Sequence, residues 1–481
     1  MNPKAPPGPP SKFFGLNQIA LFQPNRLMQT FEMCARTYGD VVRVSFGGYS
    51  QTMVFHPDDV HRILIDESEK VGRSKLQQRL FSVFLGNSLT NSDGEFWKRQ
   101  RKLMQPAFHA RCIQGYIETM AEHTARYFDR WQFGDTYDMD AEMIELTLSN
   151  VTRTLFGADV TATADQILSA VYTTQEYTMR KAPAMLSLPI WVPLPYHRRT
   201  QRDITYLREV VMDFIEKGRA EGKDRGDLLS MLLLAVDEDG EDGGGQMTDL
   251  QARDEAISML IVGHTTTSAL LSWALYEVSR HPEVEAKLLD ELDTILGGRT
   301  PSMENIRQLK YMDMVIKETL RLYPPSWGMP RDVVEDIVLG DYLIPKGTGV
   351  LFCQQVMHRD PRWFPESDRF MPERFADGWE EKVPKCAYMP FGYGSHICIG
   401  QTFAISESLL ILAMLLQRFR LTLVPGQEIV TSPLVSQRPR YGLRMQVEHR
   451  QPKPVQAKGS WLLLSAEPAL HESETGEQDS R

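Results

Sequence analysis

Apolar residues recur at spacings of three and four over long stretches of the chain and alternate over short ones, and the two periods divide it into elements. VVRVSF at 41–46 and QTMVFH at 51–56 read as strands, with Gly47-Gly48 as the hairpin turn between them. From about Asp93 to Gly222 the pattern is mostly helical. Thr248 opens a longer helix, with Gln251 three residues on in the arrangement of a capping box, which runs to about Arg280 before His281-Pro282. At about 1.5 Å per residue that helix reaches about 50 Å, enough to cross a domain. Helical spacing continues over about 283–296 and 303–323 and stops before Pro324-Pro325. DIVLGDYLIPKGTGVLF returns to strands, with turns at Gly340-Asp341 and Lys346-Gly347, and a proline-punctuated coil fills 359–375. After Gly400 an apolar helix runs to about Arg418, and short strands follow to about Val447. The expected architecture is mainly α with small β-sheets around one long central helix.

No repeat or composition break divides residues 13–449, which read as a single domain. The Pro-rich lead, 1–12, is expected to be flexible, the tail, 450–481, disordered, and the acidic glycine-rich stretch 237–246 a mobile surface loop. The 481 residues are 42% hydrophobic and 24% charged, an ordinary globular balance. A net charge of −10 argues against a general nucleic-acid binder. The 5 cysteines are sparse and unpaired in pattern, which argues against a disulfide framework and fits a reducing cytoplasm. No apolar run reaches the roughly 18 residues of a transmembrane anchor. A monomeric cytoplasmic protein is expected.

Candidate chemistry concentrates in a few stretches. PFGYGSHICIG, 390–400, sets Cys398 on a glycine-rich turn just ahead of a helix. A helix N-terminus favours an anion, so the thiol is expected to ionise easily. Gly392, Gly394 and Gly400 allow close backbone approach to something flat, against which Phe391 can pack. His396, two residues from the thiol, leaves a cysteine nucleophile open as well. In KETLR, Glu318 and Arg321 share one helical face, and Arg374 of PERF can complete a buried network with them. IVGHTTTS, 261–268, weakens the middle of the long helix with glycine and threonines. It suggests either a local opening for a small polar ligand or a Thr-rich packing groove. In WKRQRK, Trp97 and Arg101 are i, i+4 neighbours suited to an anion, with Lys98, Arg99 and Lys102 facing outward.

Taken in this order and spacing, Trp97–Arg101, VGHTTT at 262–267, Glu318–Arg321, PERF and FGYGSHICIG resemble the cytochrome P-450 superfamily, from about Pro6 to Val447. The resemblance implies a triangular prism whose long helix crosses haem b (iron protoporphyrin IX), with Cys398 as thiolate ligand. It implies that Trp97, Arg101, Arg331 and His396 hold the haem propionates, with Phe391, Gly392 and Gly400 against the ring. Thr266, with Thr265, is expected to deliver protons to oxygen. The acid usual before this threonine is replaced by Thr265, which leaves Glu255 or His264 as other contributors. Leu80, Phe81, Val83, Phe84, Met259, Val262, Trp327, Pro433 and Leu434 would wall a hydrophobic substrate pocket. The implied reaction is hydroxylation or epoxidation of a fatty acid, alkane or terpenoid by dioxygen. Electrons would come from NAD(P)H through a ferredoxin or flavodoxin and its reductase, docked near Lys98, Arg99 and Lys102. A haem-thiolate isomerase, dehydratase or peroxygenase, needing no such donor, is the alternative.

Overall fold

Buried residues lie on every face of the helix Asp249–Arg280, so other elements must surround it. The computed structural model describes residues 3–10, 26–46, 49–181, 188–237, 245–433 and 435–450. The Thr248 hydroxyl accepts the Gln251 N–H at 3.2 Å. The Gln251 side chain reaches out to the Asn87 carbonyl and Glu255, so only half of the expected capping box forms. The helix is unbroken across 261–268, contrary to a local opening. The hydroxyls of Thr265, Thr266 and Thr267 each donate to the carbonyl four residues back, which ties up the groups that would have opened it. Gly263 packs closely: a Cβ there would lie 3.3 Å from the Val151 side chain of the neighbouring helix Met139–Leu155, which would have to give by a few tenths of an ångström.

The helix Gln401–Arg418, equally apolar, runs beside the central one, and Lys310–Leu322 flanks both. The helical run expected at 303–323 is broken into Met303–Ile306 and Lys310–Leu322. The break lets the Glu291 carboxylate accept the free N–H groups of Tyr311 and Met312 at 2.7 and 2.9 Å.

A five-stranded sheet packs at one edge, in the spatial order Val41–Phe46, Tyr49–Val54, Gly349–Phe352, Met329–Val333, Val71–Arg73. Tyr49–Val54 and Gly349–Phe352 pair in parallel; the other neighbours are antiparallel. In this register Arg73 lies directly opposite Arg331. The strand expected at 51–56 thus occupies Tyr49–Val54, and the Gly47-Gly48 turn lies outside the described residues. The described part of the Pro-rich lead is tied down, with Lys4 bonded to Asp341 and Leu343 and Pro7 accepting from Arg43. Residues 237–246 begin and end in paired two-residue strands; the stretch between them, and the tail from 451, lie outside the described residues. Among the described residues no helix is long and apolar enough to cross a membrane.

Candidate active site

A cavity of 780 Å³ lies between the middle of the central helix and the loop before Gln401, and Cys398 lines it. That loop turns through Gly392 and Gly394 at φ 77° and 76°, where side chains are strained. A Cβ at Gly394 would fall 2.8 Å from the Leu64 carbonyl oxygen, so this glycine answers to neighbouring backbone and not to a flat partner. Gly400 has an ordinary φ of −89°; a Cβ there would meet the Cys398 sulfur at 4.0 Å. Phe391, Gly392 and Gly400 all line the cavity. The Cys398 N–H donates to the Phe391 carbonyl at 3.0 Å and closes the loop.

The Cys398 side chain is exposed into the cavity. Burial pushes its thiol up, against the Gly400 N–H and the Arg101 charge, which favour the thiolate. The expected lowering at the helix terminus is therefore overturned, because desolvation outweighs it. A metal cation at the sulfur supplies the missing compensation and deprotonates a coordinating thiol. Among the described residues no three His, Cys, Asp or Glu side chains converge to hold a metal.

The side of the cavity under the sheet is cationic. Arg73 and Arg331 face each other across paired strands, an arrangement that is unfavourable without an anion between them. Arg331 is 4% exposed and, among the described residues, donates only to the Pro330 carbonyl and the Met329 sulfur. Burial, then the Arg73 charge, pushes its pKa down to about 9. Arg73 Nε has no partner among the described residues. The carboxylate at hand, Asp93, caps the helix Gly94–Met104 and accepts from the Gly94 and Arg73 N–H groups. It also lies 3.3 Å from His396 Nε2, and the Trp97 and His396 rings meet at a tilt of 43° with centroids 4.0 Å apart. Burial pushes the His396 imidazole down, against the Asp93 hydrogen bond, which favours its charged form. Arg101 donates to the Ile397 carbonyl at 2.6 Å. A thiol in the cavity wall and buried guanidiniums with no ion-pair partner among the described residues fit an iron porphyrin with its two carboxylates. Trp97, Arg101, Arg331 and His396 are brought together as expected positions; Arg73 and Asp93 were not foreseen. No motif marks Arg73, and Asp93 was legible only as a helix cap in NSDGE.

Across the cavity stand Met259, Val262, Thr265 and Thr266 of the central helix. Thr266 donates to the Val262 carbonyl at 3.0 Å, and Thr265 accepts from the Ser436 hydroxyl at 3.4 Å. Glu255 and His264 do not line the cavity. Both Glu255 oxygens accept the Leu89 N–H, and His264, pushed down to about 4 by burial, bonds the Leu260 carbonyl. Neither reaches the cavity directly. Leu80, Phe81 and Trp327 line it, but Val83 and Phe84 do not. On the helix Lys75–Leu85 the cavity face is Leu76, Gln77, Leu80 and Phe81, and Phe84 turns into the core. Leu434 and the Pro433 side chain lie outside the described residues; Val435 and Ser436 after them line the cavity.

Glu318, Arg321 and Arg374 meet in one buried network. Arg321 donates to both Glu318 oxygens at 2.6 and 2.9 Å, and Arg374 Nε to one of them at 3.0 Å. The outward patch is smaller than expected: Arg99 is half-buried with its guanidinium over the Phe96 ring, which its i, i+3 position dictates. Lys98 and Lys102 are exposed, and Lys98 pairs with Glu95 at 2.6 Å.

The family model that matches the chain is that of cytochrome P-450, over residues 6–443. A cyclooctat-9-en-7-ol 5-monooxygenase of Streptomyces melanosporofaciens is 36% identical over 81% of this chain and 84% of its own. Cyclooctatin synthase of the same organism is 33% identical, over 83% of this chain and 86% of its own. A pentalenene oxygenase of Streptomyces avermitilis is 30% identical, over 82% of this chain and 86% of its own.

Proposed function

The chain belongs to the cytochrome P-450 family of haem-thiolate monooxygenases, and from that premise we propose that it hydroxylates or epoxidises a terpenoid. The observation that carries this reading is the cavity itself, with Cys398 in one wall and Thr266 in the other. Thiolate-bound haem supplies dioxygen activation and O–O cleavage. Cys398 holds the iron, and Arg73, Arg331, Arg101 and His396 hold the carboxylate edge of the ring. Leu80, Phe81, Met259, Val262 and Trp327 give the substrate an apolar wall. Thr265 and Thr266 present the hydroxyls of the opposite wall. The relatives named for cyclooctat-9-en-7-ol and pentalenene favour a terpenoid skeleton over a fatty acid or an alkane.

Product formed from a cyclic terpenoid under isotopically heavy dioxygen, with NAD(P)H, ferredoxin and reductase, should carry one heavy oxygen atom. Unlabelled product, or equal turnover without reductant, would sink the reading and favour the electron-independent alternative. A fatty acid or alkane shifting the ferric haem to high spin where terpenoids do not would overturn the substrate class.

Thr266→Ala should leave the thiolate spectrum intact while product per NAD(P)H falls about tenfold, roughly 1.4 kcal/mol of barrier. Unchanged coupling would deny Thr266 a proton-handling role.

Electrons reach the haem from a separate ferredoxin or flavodoxin that docks beside Trp97 and Arg101. Lys98, Lys102, Gln105 and His109 surround a surface recess of 350 Å³ there, which shares Trp97 and Arg101 with the wall of the Cys398 cavity. In Lys98→Gln/Lys102→Gln, reduction by an acidic donor should slow several-fold at low salt and lose most of its ionic-strength dependence. Arg99→Gln alone should leave that dependence in place. Wild-type kinetics in the double variant would place the donor elsewhere.

A further inference from the structure

The cavity that holds Cys398 is lined by charge of one sign. Arg73, Arg79, Arg101, Lys181 and Arg331 all reach it, and among the described residues no aspartate or glutamate does. The carboxylate edge of the haem accounts for Arg73, Arg101 and Arg331. It does not account for Arg79 and Lys181, which come from the helices Lys75–Leu85 and Ala164–Lys181, packed on each other.

Lys181, the last residue of its helix, is buried at 5% exposure. Its Nζ donates to the Leu188 carbonyl at 2.7 Å. It also lies 5.6 and 5.5 Å from the centres of the Tyr177 and Tyr196 rings. Aromatic faces ease the burial of a cation but do not supply the counter-charge that a buried ion needs. The carboxylates close by in sequence are engaged elsewhere: Glu176 of the same helix pairs with Arg180 at 2.6 Å, and Asp203 of the facing helix Pro195–Glu221 with Arg202 at 3.1 Å. Holding Leu188 uses one of the three donors of an ammonium and leaves the charge unexplained, since a neutral amide would serve. Arg79 is exposed and lines the same cavity. Its charge reaches the Tyr177 hydroxyl, as does the Tyr196 hydroxyl, so the two cations meet around one pair of tyrosines. Neither has an ion-pair partner among the described residues.

Resting on the monooxygenase reading and its terpenoid skeleton, we propose that Lys181 and Arg79 form an anion subsite, and that the substrate is a terpenoid bearing a carboxylate. Lys181 turns its two remaining donors to the carboxylate, and Arg79 meets it from the more exposed side. The apolar skeleton then lies along Leu80, Phe81 and Val262. The buried ammonium gains most from such a partner, whereas the exposed guanidinium is screened and contributes less. Both residues select and orient the substrate and take no part in the oxygen chemistry. The carboxylate of a fatty acid offers the same group to the same two cations, so the skeleton is tested beside the charge.

The test is a titration of the ferric holoenzyme with abietic acid, kaurenoic acid, their methyl esters and palmitic acid, read as the shift of the haem to high spin. The wild type should bind the terpenoid acids at least about tenfold more tightly than their esters, roughly 1.4 kcal/mol. In Lys181→Met acid and ester should bind alike, at the affinity of the wild type for the ester; a purely structural role would weaken both. Lys181→Arg should restore most of the preference. Arg79→Gln, at an exposed position, should weaken acid binding about two- to threefold, and it serves if Lys181→Met does not fold. Esters bound as tightly as acids by the wild type, or an acid preference that survives Lys181→Met, would overturn the anion subsite and leave the terpenoid reading in place. A Lys181-dependent preference for palmitic acid over both terpenoid acids would keep the subsite and overturn the skeleton. Binding of none of the three acids would overturn the proposal. Failure of the monooxygenase reading itself would show separately, as product without label.

Discussion

Replacing Cys398 by serine is expected to abolish the red-shifted ferrous–CO spectrum and lower product formation more than the roughly 10–100-fold that loss of an outer-sphere metal partner costs. Serine is nearly isosteric, and the Cys398 N–H bond to Phe391 does not use the side chain. The loop turns at Gly392 and Gly394 for reasons of backbone geometry that the substitution does not touch. Folding should therefore survive, with unchanged circular dichroism. What is lost is a ligand that ionises on metal binding: the Gly400 N–H and Arg101 already favour a negative sulfur, and a serine hydroxyl is far harder to ionise. A Cys398→Ser protein that retained the red-shifted spectrum would exclude Cys398 as the ligand. Cys112, half-buried and bonded to the Pro106 carbonyl, would then be the next thiol to examine.

The sequence was most readable where one residue type answers to one physical need. The Thr248 cap, the central helix and the apolar helix after Gly400 follow from side-chain period alone, and the structure has them at Asp249–Arg280 and Gln401–Arg418. The thiol loop was equally visible, since Gly392 and Gly394 need left-handed backbone. Less visible was anything set by strand register. Arg73 meets Arg331 only because Val71–Arg73 pairs with a strand more than two hundred residues away, and no local pattern encodes that. The same limit produced the misplaced pocket walls: Val83 and Phe84 lie one turn past Leu80, and only the docking of their helix decides which side is core. The threonines at 265–267 misled because propensity describes an isolated helix. Here their hydroxyls satisfy carbonyls within the helix, and packing on every side keeps it unbroken. Glu407, the lone acid of AISESLLIL, is fully buried with the Asn150 amide donating to it, where burial makes a charge expensive.

The second large effect is expected at Arg321. Its guanidinium and the Glu318 carboxylate are both fully buried. Beyond the ion pair, Arg321 donates to the carbonyls of His358, Ser367 and Arg369 at 2.9, 2.7 and 3.2 Å. Glu318 also accepts the Met371 N–H at 2.8 Å, so the pair fixes the coil from both sides. His358 carries the constraint onward: its carbonyl is held by Arg321, and its Nε2 accepts the Met389 N–H at 3.0 Å. Met389 immediately precedes Pro390, the first residue of the thiol loop, so a chain of hydrogen bonds links the network to Cys398. Arg321→Ala leaves a buried carboxylate with Arg374 as its remaining cation and takes the Arg321 donor from the carbonyls of His358 and Ser367, while Arg369 keeps Arg374. Removing one partner of such a pair costs about 3–5 kcal/mol. Glu318→Gln keeps the shape and an acceptor but leaves the buried Arg321 charge unbalanced, at a similar cost. Both variants should lower the urea midpoint, and Arg321→Ala should also shed haem at denaturant concentrations where its helices are still intact. The double variant Glu318→Gln/Arg321→Met should recover part of the loss, because an uncharged pair no longer carries the desolvation of a lone ion. Wild-type midpoints in both single variants would mean that the coil is held by its other contacts. Single-variant losses that simply add in the double variant would mean that the two charges are not coupled.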